Sequence, residues 1–140
     1  MHVVIFSPTD SFSAEALPML DPADRVTVVR WAGHESDEPG RIAVGQGTLS
    51  ARVVAAARGN VLIRTVVRAT PLDTGARFWR ATRSDSRVRD AVRTADVIVA
   101  PERDGGYAAW AWRRLAARKG RELAVVAGYP AARNTIEQSR

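Results

Sequence analysis

Runs of consecutive apolar residues alternate along the chain with segments in which apolar residues recur every three or four positions. The apolar runs lie within residues 3–6, 25–31, 96–100 and 122–127. They are rich in valine and isoleucine, and each is bounded by polar residues, glycine or proline, which is typical of strands buried on both faces. The pattern therefore predicts four clear strands. A further short strand at residues 42–44 would lie within a glycine-rich loop.

The segments with helical spacing lie mostly in the second half of the chain. The spacing predicts short helices over residues 76–82 and 86–93, and a longer helix from Asp104 or Gly105 to about Lys119. Apolar stripes at 49–57 and 62–67 predict two further short helices, or one helix kinked between them. After the first strand, Ser11 or Ser13 could cap a short helix that reaches about Leu20. Residues 70–75 are expected to form a loop.

The alternation of buried strands with helices predicts an α/β fold. A strand that is apolar throughout must be covered on both faces, as in a parallel sheet between two layers of helices. The 140 residues are enough for one domain of this kind. We therefore expect a single Rossmann-like domain over residues 1–140, with a mostly parallel sheet and a basic helical segment at about 49–93.

Positive charge is concentrated in that helical segment. Residues 49–93 carry ten arginines and three acids, a net charge of +7, whereas the whole chain has +6. Twenty of the 21 basic residues are arginine, a bias that GC-rich coding also produces without selection for binding. The clustering favours an anionic partner, which could be a membrane surface, a phosphorylated ligand or nucleic acid.

The arginines around a pair of aromatic residues offer a membrane-facing surface. The candidates are Arg64, Arg68, Arg77, Trp79 and Arg80. Aromatic rings and guanidinium groups together suit the headgroup region of an anionic bilayer. The same pattern also suits a helix that packs Phe78 inward and leaves its arginines in water.

The composition removes several classes of protein from consideration. The chain has no cysteine, which excludes disulfides, thiolate metal sites and a thiol nucleophile. No secretion signal is recognisable, and no apolar run approaches the ~20 residues of a membrane-spanning helix. We expect a cytoplasmic protein, either soluble or peripheral to a membrane. The sequence lacks the helix-turn-helix, RRM and KH signatures, which argues against nucleic acid as a partner.

Two loops are the best candidates for a ligand site because each follows a strand in the predicted parallel sheet. Ligands of such sheets bind outside the carboxyl ends of strands, near the point where the strand order reverses. Residues 7–13 follow the first strand, and residues 101–107 follow the third clear strand. The candidate ligand-binding residues are Ser7, Thr9, Ser11, Ser13, Arg103, Gly105 and Gly106.

The same loops carry three carboxylates that could serve as a general acid or base. They are Asp10, Glu102 and Asp104, for which helix capping is the favoured interpretation. Neither loop contains the glycine-rich motif of a dinucleotide or triphosphate site. Tyr107 and Trp110 lie three residues apart on one helical side, where core packing or a dimer contact is the favoured interpretation.

No metal site is expected. His34 stands beside Glu35 and Asp37 in an acidic loop, but this arrangement matches no known metal-ligand spacing. With only two histidines in the chain, Ser-His-Asp chemistry is also disfavoured.

The chain resembles the N-terminal half of a GT-B glycosyltransferase of the family 4 type. The resemblance rests on the opening strand Val3-Val-Ile-Phe6, on Thr94-Ala-Asp96-Val-Ile-Val99 and on the following Asp104-Gly-Gly-Tyr-Ala-Ala-Trp110. In that family the Ala-Asp-Val strand leads into a loop on the acceptor side. The glycine pair expected after the first strand is replaced by Ser7-Pro-Thr-Asp10, and the sugar-nucleotide half with its E-x7-E signature is absent.

The resemblance implies acceptor-side surface without a nucleotide-sugar site. The chain would then act in cell-envelope sugar transfer beside a second glycosyltransferase half or a second copy of itself, and would need no cofactor. Residues 7–16 also resemble the opening of universal stress proteins, although their glycine-rich ATP loop is missing after Val99. A flavodoxin-like FMN domain matches the length and fold, but its hydroxyl-rich phosphate loop matches poorly.

Overall fold

A computed structural model of the chain describes residues 1–33, 38–45 and 74–139. The strands within these ranges are β1 (His2–Phe6), β2 (Arg25–Trp31), β3 (Arg41–Val44), β4 (Val97–Ala100) and β5 (Ala124–Ala127). The α-helices of the described residues are α1 (Thr74–Ser84), α2 (Ser86–Thr94), α3 (Arg103–Ala117) and α4 (Tyr129–Gln138). A 3₁₀ turn, Ala14–Ala16, lies between β1 and β2.

The strands form one sheet in the order β3-β2-β1-β4-β5, and every neighbouring pair is parallel. β1 lies at the centre, where Val3 pairs with Val26 of β2 and with Val97 of β4. All five residues of β1 are buried, as its unbroken apolar sequence requires. The prediction of a Rossmann-like α/β domain is therefore confirmed.

Side chains that alternate along β1 divide the core into two layers. Val4 and Phe6 point to the face covered by α1, α2 and α3, where they pack with Phe78, Val88 and Trp112. Val3 and Ile5 point to the opposite face, which is covered by Leu17 and by Ala132 and Ile136 of α4. The alternation follows from the two-residue period of a strand.

Most of the predicted elements are confirmed with small shifts at their ends. The short strand predicted at 42–44 is β3, and the helices predicted at 76–82 and 86–93 are α1 and α2. The side chain of Asp85 caps α2 by accepting a hydrogen bond from the Arg87 amide. Hydrogen bonding to Arg87 also lowers the pKa of Asp85. Thr74 and Gly75, predicted to be loop residues, belong to α1.

Two predictions of local structure are wrong or incomplete. The helix predicted from Ser11 or Ser13 to Leu20 is only the turn Ala14–Ala16, and the Ser13 side chain caps nothing. The reason is Pro18, which has no N–H to donate to the Ala14 carbonyl and so stops helix propagation. The sequence pattern also did not predict α4, although Pro130 stands at its start, where proline favours a helix.

The stripes at 49–57 and 62–67 lie outside the described residues, as does the acidic loop with His34, Glu35 and Asp37. Within the described ranges, no helix is both long enough and apolar enough to cross a membrane.

Candidate functional site

The order of the strands along the sheet reverses between β1 and β4. From β1 the chain continues toward β2 and β3, whereas β4 and β5 lie on the other side of β1. The loops that leave β1 and β4 both lie at the carboxyl edge of the sheet, the usual ligand position in such folds, and we call the region between them the crevice. The two loops selected from the sequence both lie at this crevice.

Glu102 joins the two loops through its carboxylate. Its Oε1 accepts a hydrogen bond of 2.6 Å from the Ser7 hydroxyl and one of 3.0 Å from the Ser11 hydroxyl. Its Oε2 accepts a hydrogen bond of 3.2 Å from the backbone N–H of Thr9. Three donors thus converge on one carboxylate and fix its position between the two loops. Ser7 is fully buried, and Glu102 is partly exposed.

Close packing of α3 against β1 sets the position of Glu102. Glu102 is the residue immediately before α3, yet its side chain does not cap that helix. Gly105 lies in the first turn, and a Cβ at this position would overlap the carbonyl oxygen of Phe6. Glycine therefore lets the helix start come close enough for Glu102 to reach the loop after β1. Gly105 acts here through packing, not through an approach to a ligand.

A third loop, after β5, adds Tyr129 to the crevice. Gly128 has a φ of +80°, in the left-handed region that glycine tolerates, and Tyr129 follows it at the start of α4. The Tyr129 hydroxyl is buried and makes no well-formed hydrogen bond to the described residues. Burial raises the pKa of Tyr129 and the Glu102 carboxylate raises it further, while the nearby Ser11 hydroxyl opposes the change.

Asp10 ties the loop after β1 to the neighbouring strands. Its carboxylate forms an ion pair of 3.4 Å with Arg30, which is only 2% exposed, and a second with Arg41. Asp10 also has a φ of +59°, which aspartate accepts more readily than most residues. Asp10 therefore anchors the loop after β1 to β2 and β3.

The other candidate residues lie at the rim or outside the crevice network. Ser13 is exposed beside the 3₁₀ turn, and Arg103 is exposed in the first turn of α3. Asp104 is partly buried in that same turn, and the space beside Gly106 is open. Ser7, Thr9, Ser11 and Glu102 are thus the predicted residues that the structure brings together.

Arg77, one of the residues of the predicted membrane-facing surface, is buried and does not face solvent. Arg77 is 8% exposed, and its guanidinium lies 6.0 Å from the centre of the Trp31 ring. Burial lowers the pKa of Arg77. Trp79 is half-buried and packs edge-on against Trp112, so that only Arg80 of the described candidates remains exposed. Arg64 and Arg68 lie outside the described residues.

The arrangement at Arg77 corrects the expectation that these arginines stay in water. α1 packs closely against α3, so that Phe78 lies in the core and its neighbour Arg77 lies against Trp31 of β2. The burial extends beyond the apolar stem, because the Arg77 Nε is also buried and has no hydrogen-bond partner among the described residues. The expected burial of Phe78 is confirmed.

A cavity lies away from the crevice. It measures about 730 Å³ and lies between α2 and the strands β2 and β3. Four arginines line it, namely Arg25, Arg41, Arg87 and Arg93. Arg41, Arg87 and Arg93 each pair with a carboxylate. In the part of the chain that the structure describes, no three histidine, aspartate or glutamate side chains gather as metal ligands.

Sequence reasoning missed Arg30 and Tyr129. Arg30 interrupts an otherwise apolar strand, and a charge inside a buried strand is a signal that a paired carboxylate lies nearby. Tyr129 follows β5 at the carboxyl edge, so the recognition of α4 would have placed it with the other two loops.

No family model, no curated protein and no solved structure matches the chain.

Proposed function

We propose that this chain is the acceptor-side half of a GT-B-type glycosyltransferase, which acts in cell-envelope sugar transfer together with a second half or a second copy. The observation that carries the proposal is the Glu102 carboxylate, held by the hydroxyls of Ser7 and Ser11 at the crevice between β1 and β4. In the resemblance described above, the loop after the Ala-Asp-Val strand faces the acceptor. Glu102 belongs to that loop.

A carboxylate in this position suits a substrate that presents hydroxyl groups. A sugar hydroxyl can donate a hydrogen bond to Glu102, and the hydroxyls of Ser7, Ser11 and Tyr129 can exchange hydrogen bonds with neighbouring sugar oxygens. In the transfer step, the acceptor oxygen attacks the anomeric carbon of the donor sugar. The bond to the nucleoside diphosphate breaks, and that group departs with the bonding electrons. The acceptor proton passes to Glu102 as general base.

The same carboxylate disfavours a nucleotide at this position. Phosphate groups bind at such crevices through free backbone N–H groups and glycine-rich turns. Here the Thr9 N–H already donates to Glu102, whose negative charge would repel a phosphate. The donor nucleotide is therefore assigned to the other half of the enzyme, consistent with the missing sugar-nucleotide motif. No cofactor is required by this chemistry.

Saturation-transfer NMR with a panel of small ligands tests the proposal. The panel contains cellotetraose, tetragalacturonate, ATP, FMN and a nucleotide sugar, each offered to the wild-type chain and to Glu102→Gln. Asp104→Asn is the matched control because Asp104 lies two residues away but makes no contact with the Ser7–Ser11 network. We expect saturation transfer to at least one oligosaccharide. Its binding affinity should be about tenfold weaker for Glu102→Gln and unchanged for the control.

The alternatives give different outcomes in the same experiment. A saturation-transfer signal from ATP that depends on Glu102, with no signal from the sugars, would favour a nucleotide-binding module of the stress-protein type. Saturation of FMN would favour a flavodoxin-like module. Either result, or the absence of any sugar signal, would contradict the proposed transferase half.

A further inference from the structure

Two large aromatic side chains of α3 lie on the surface, so that of the two expectations for them, core packing or a dimer contact, core packing is wrong. Tyr107 is 43% exposed and Trp110 is 48% exposed, and they are the large apolar side chains that remain exposed among the described residues. Their ring centres lie 5.9 Å apart at an angle of 42°. The opposite face of α3 is buried through Gly105, Ala108, Ala109 and Trp112.

Two arginines flank this pair along the same face of the helix. Arg103, Tyr107, Trp110 and Arg114 follow one another at intervals of four, three and four residues, which places them in one row. We call this row the α3 strip. It is about 16 Å long, from the rise of 1.5 Å per helical residue. The Arg114 guanidinium lies 4.9 Å from the centre of the Trp110 ring.

The strip is positively charged and is not neutralised by its neighbours. Residues 103–119 contain five basic residues and one acid, Asp104. Neither Arg103 nor Arg114 forms an ion pair within the described part of the chain. A charge-complementary partner therefore carries carboxylates or similar anionic groups spaced along its length.

The strip is also continuous with the candidate site. Arg103 is the residue after Glu102, so the strip starts at the rim of the crevice and runs away from it along α3. A linear molecule whose end occupies the crevice would lie along the strip. Its flanking residues, Gly106 and Arg113, offer none of the long apolar side chains with which a helix enters a bilayer.

We propose that the α3 strip binds the body of an acidic oligosaccharide acceptor, one that carries carboxylates on the sugar rings that lie along the strip, away from Glu102. The apolar C–H faces of the sugars pack on Tyr107 and Trp110, and the carboxylates pair with Arg103 and Arg114. This inference rests on the proposed function and specifies its substrate class. It makes the strip a specificity determinant, whereas Glu102 holds the reacting end.

Binding of tetragalacturonate, with cellotetraose as its neutral counterpart, tests the inference by calorimetry and tryptophan fluorescence. We expect tetragalacturonate to bind more tightly than cellotetraose and to change the fluorescence of Trp110. Trp110→Ala and Arg114→Gln should each weaken tetragalacturonate binding about tenfold, and Arg114→Gln should leave cellotetraose binding unchanged. Arg113→Gln is the matched control, since it removes the same charge from the side of α3 and should have little effect.

The outcomes separate the inference from the function on which it rests. If both sugars bind in a Glu102-dependent manner but the strip variants change nothing, the inference is overturned and the transferase half stands. If neither sugar binds, both fail. If vesicles containing phosphatidylglycerol or a single-stranded DNA bind through Trp110 and Arg114 while tetragalacturonate does not, the strip serves another partner and the inference is overturned.

Discussion

At the scale of single residues, the site depends on two contacts that sequence patterns do not reveal. Glycine at position 105 is read from the sequence as a backbone that can approach a ligand. In the structure it instead fits α3 against the Phe6 carbonyl. Likewise, Asp10 is read as a candidate base, but it pairs with Arg30 and Arg41 from neighbouring strands. Both roles depend on partners that are distant along the chain.

Gly105→Ala should destabilise the fold because the new Cβ would overlap the backbone carbonyl of Phe6, which cannot move away as a flexible side chain could. We expect a loss of about 2 kcal/mol in the free energy of unfolding, within the usual range for overpacking. Gly106→Ala is the matched control, since nothing lies within 4 Å of the added Cβ and alanine favours the helix. Urea unfolding that shows equal losses in both variants would contradict the close contact.

His2 should make stability depend on pH. Its ring is buried between Thr27 and Thr94, and burial lowers its pKa below 6.5, with the charge of Arg25 adding to the effect. The unfolded chain therefore binds a proton more readily than the folded chain. The stability that His2 contributes is present above about pH 6.5 and is lost as the pH falls toward its folded pKa.

Urea unfolding between pH 7.5 and 5.0 measures this effect. The wild-type chain should lose more stability across that interval than His2→Gln, which cannot titrate. Both chains retain His34, so its contribution to the pH dependence of stability is the same in each. If the free energies of unfolding of the two proteins fell in parallel with pH, the buried imidazole would not be the group responsible for the pH dependence.

At the scale of elements, apolar patterning predicted most of the fold. The strands at 3–6 and 25–31 were predictable because short runs rich in β-branched residues and bounded by turn residues are typical of buried strands. α4 was not, because Pro130, Asn134 and Thr135 weaken its helical signal, and its apolar contacts Ala132 and Ile136 are few. The element after Ser13 failed for the opposite reason: capping residues were present, but Pro18 ends the helix.

The loop of residues 7–13 is held in place by the charge of Asp10. Asp10→Asn keeps a side chain that tolerates positive φ but removes the ion pair to the buried Arg30. We expect unfolding free energy to fall by about 2 kcal/mol, below the ~3–5 kcal/mol of a fully buried pair because Asp10 is partly exposed. Asp90→Asn, which breaks the exposed pair with Arg93, should cost less than about 1 kcal/mol.

A urea denaturation series on the two aspartate variants checks this difference. Equal effects from Asp10→Asn and Asp90→Asn would mean that the loop is held by its backbone contacts, such as the Ser7 amide bonded to the Val29 carbonyl.

At the scale of the whole molecule, the parallel sheet brings three loops to one edge. Ser7 and Ser11 follow β1, Glu102 follows β4, and Tyr129 follows β5. The sequence could predict that the first two loops meet, because carboxyl ends of parallel strands share an edge. It could not predict that Glu102 would be the residue joining them, since that depends on how closely α3 packs against β1.

The central claim is that this crevice binds a sugar acceptor through Glu102. The most direct measurement is the backbone ¹H–¹⁵N spectrum of the labelled chain during titration with tetragalacturonate and with cellotetraose. We expect the largest shifts at the amides of Thr9, Ser11, Glu102 and Gly128, and their loss in Glu102→Gln but not in Asp104→Asn. Shifts confined to the cavity between α2 and β3, or no shifts with either sugar, would contradict the claim.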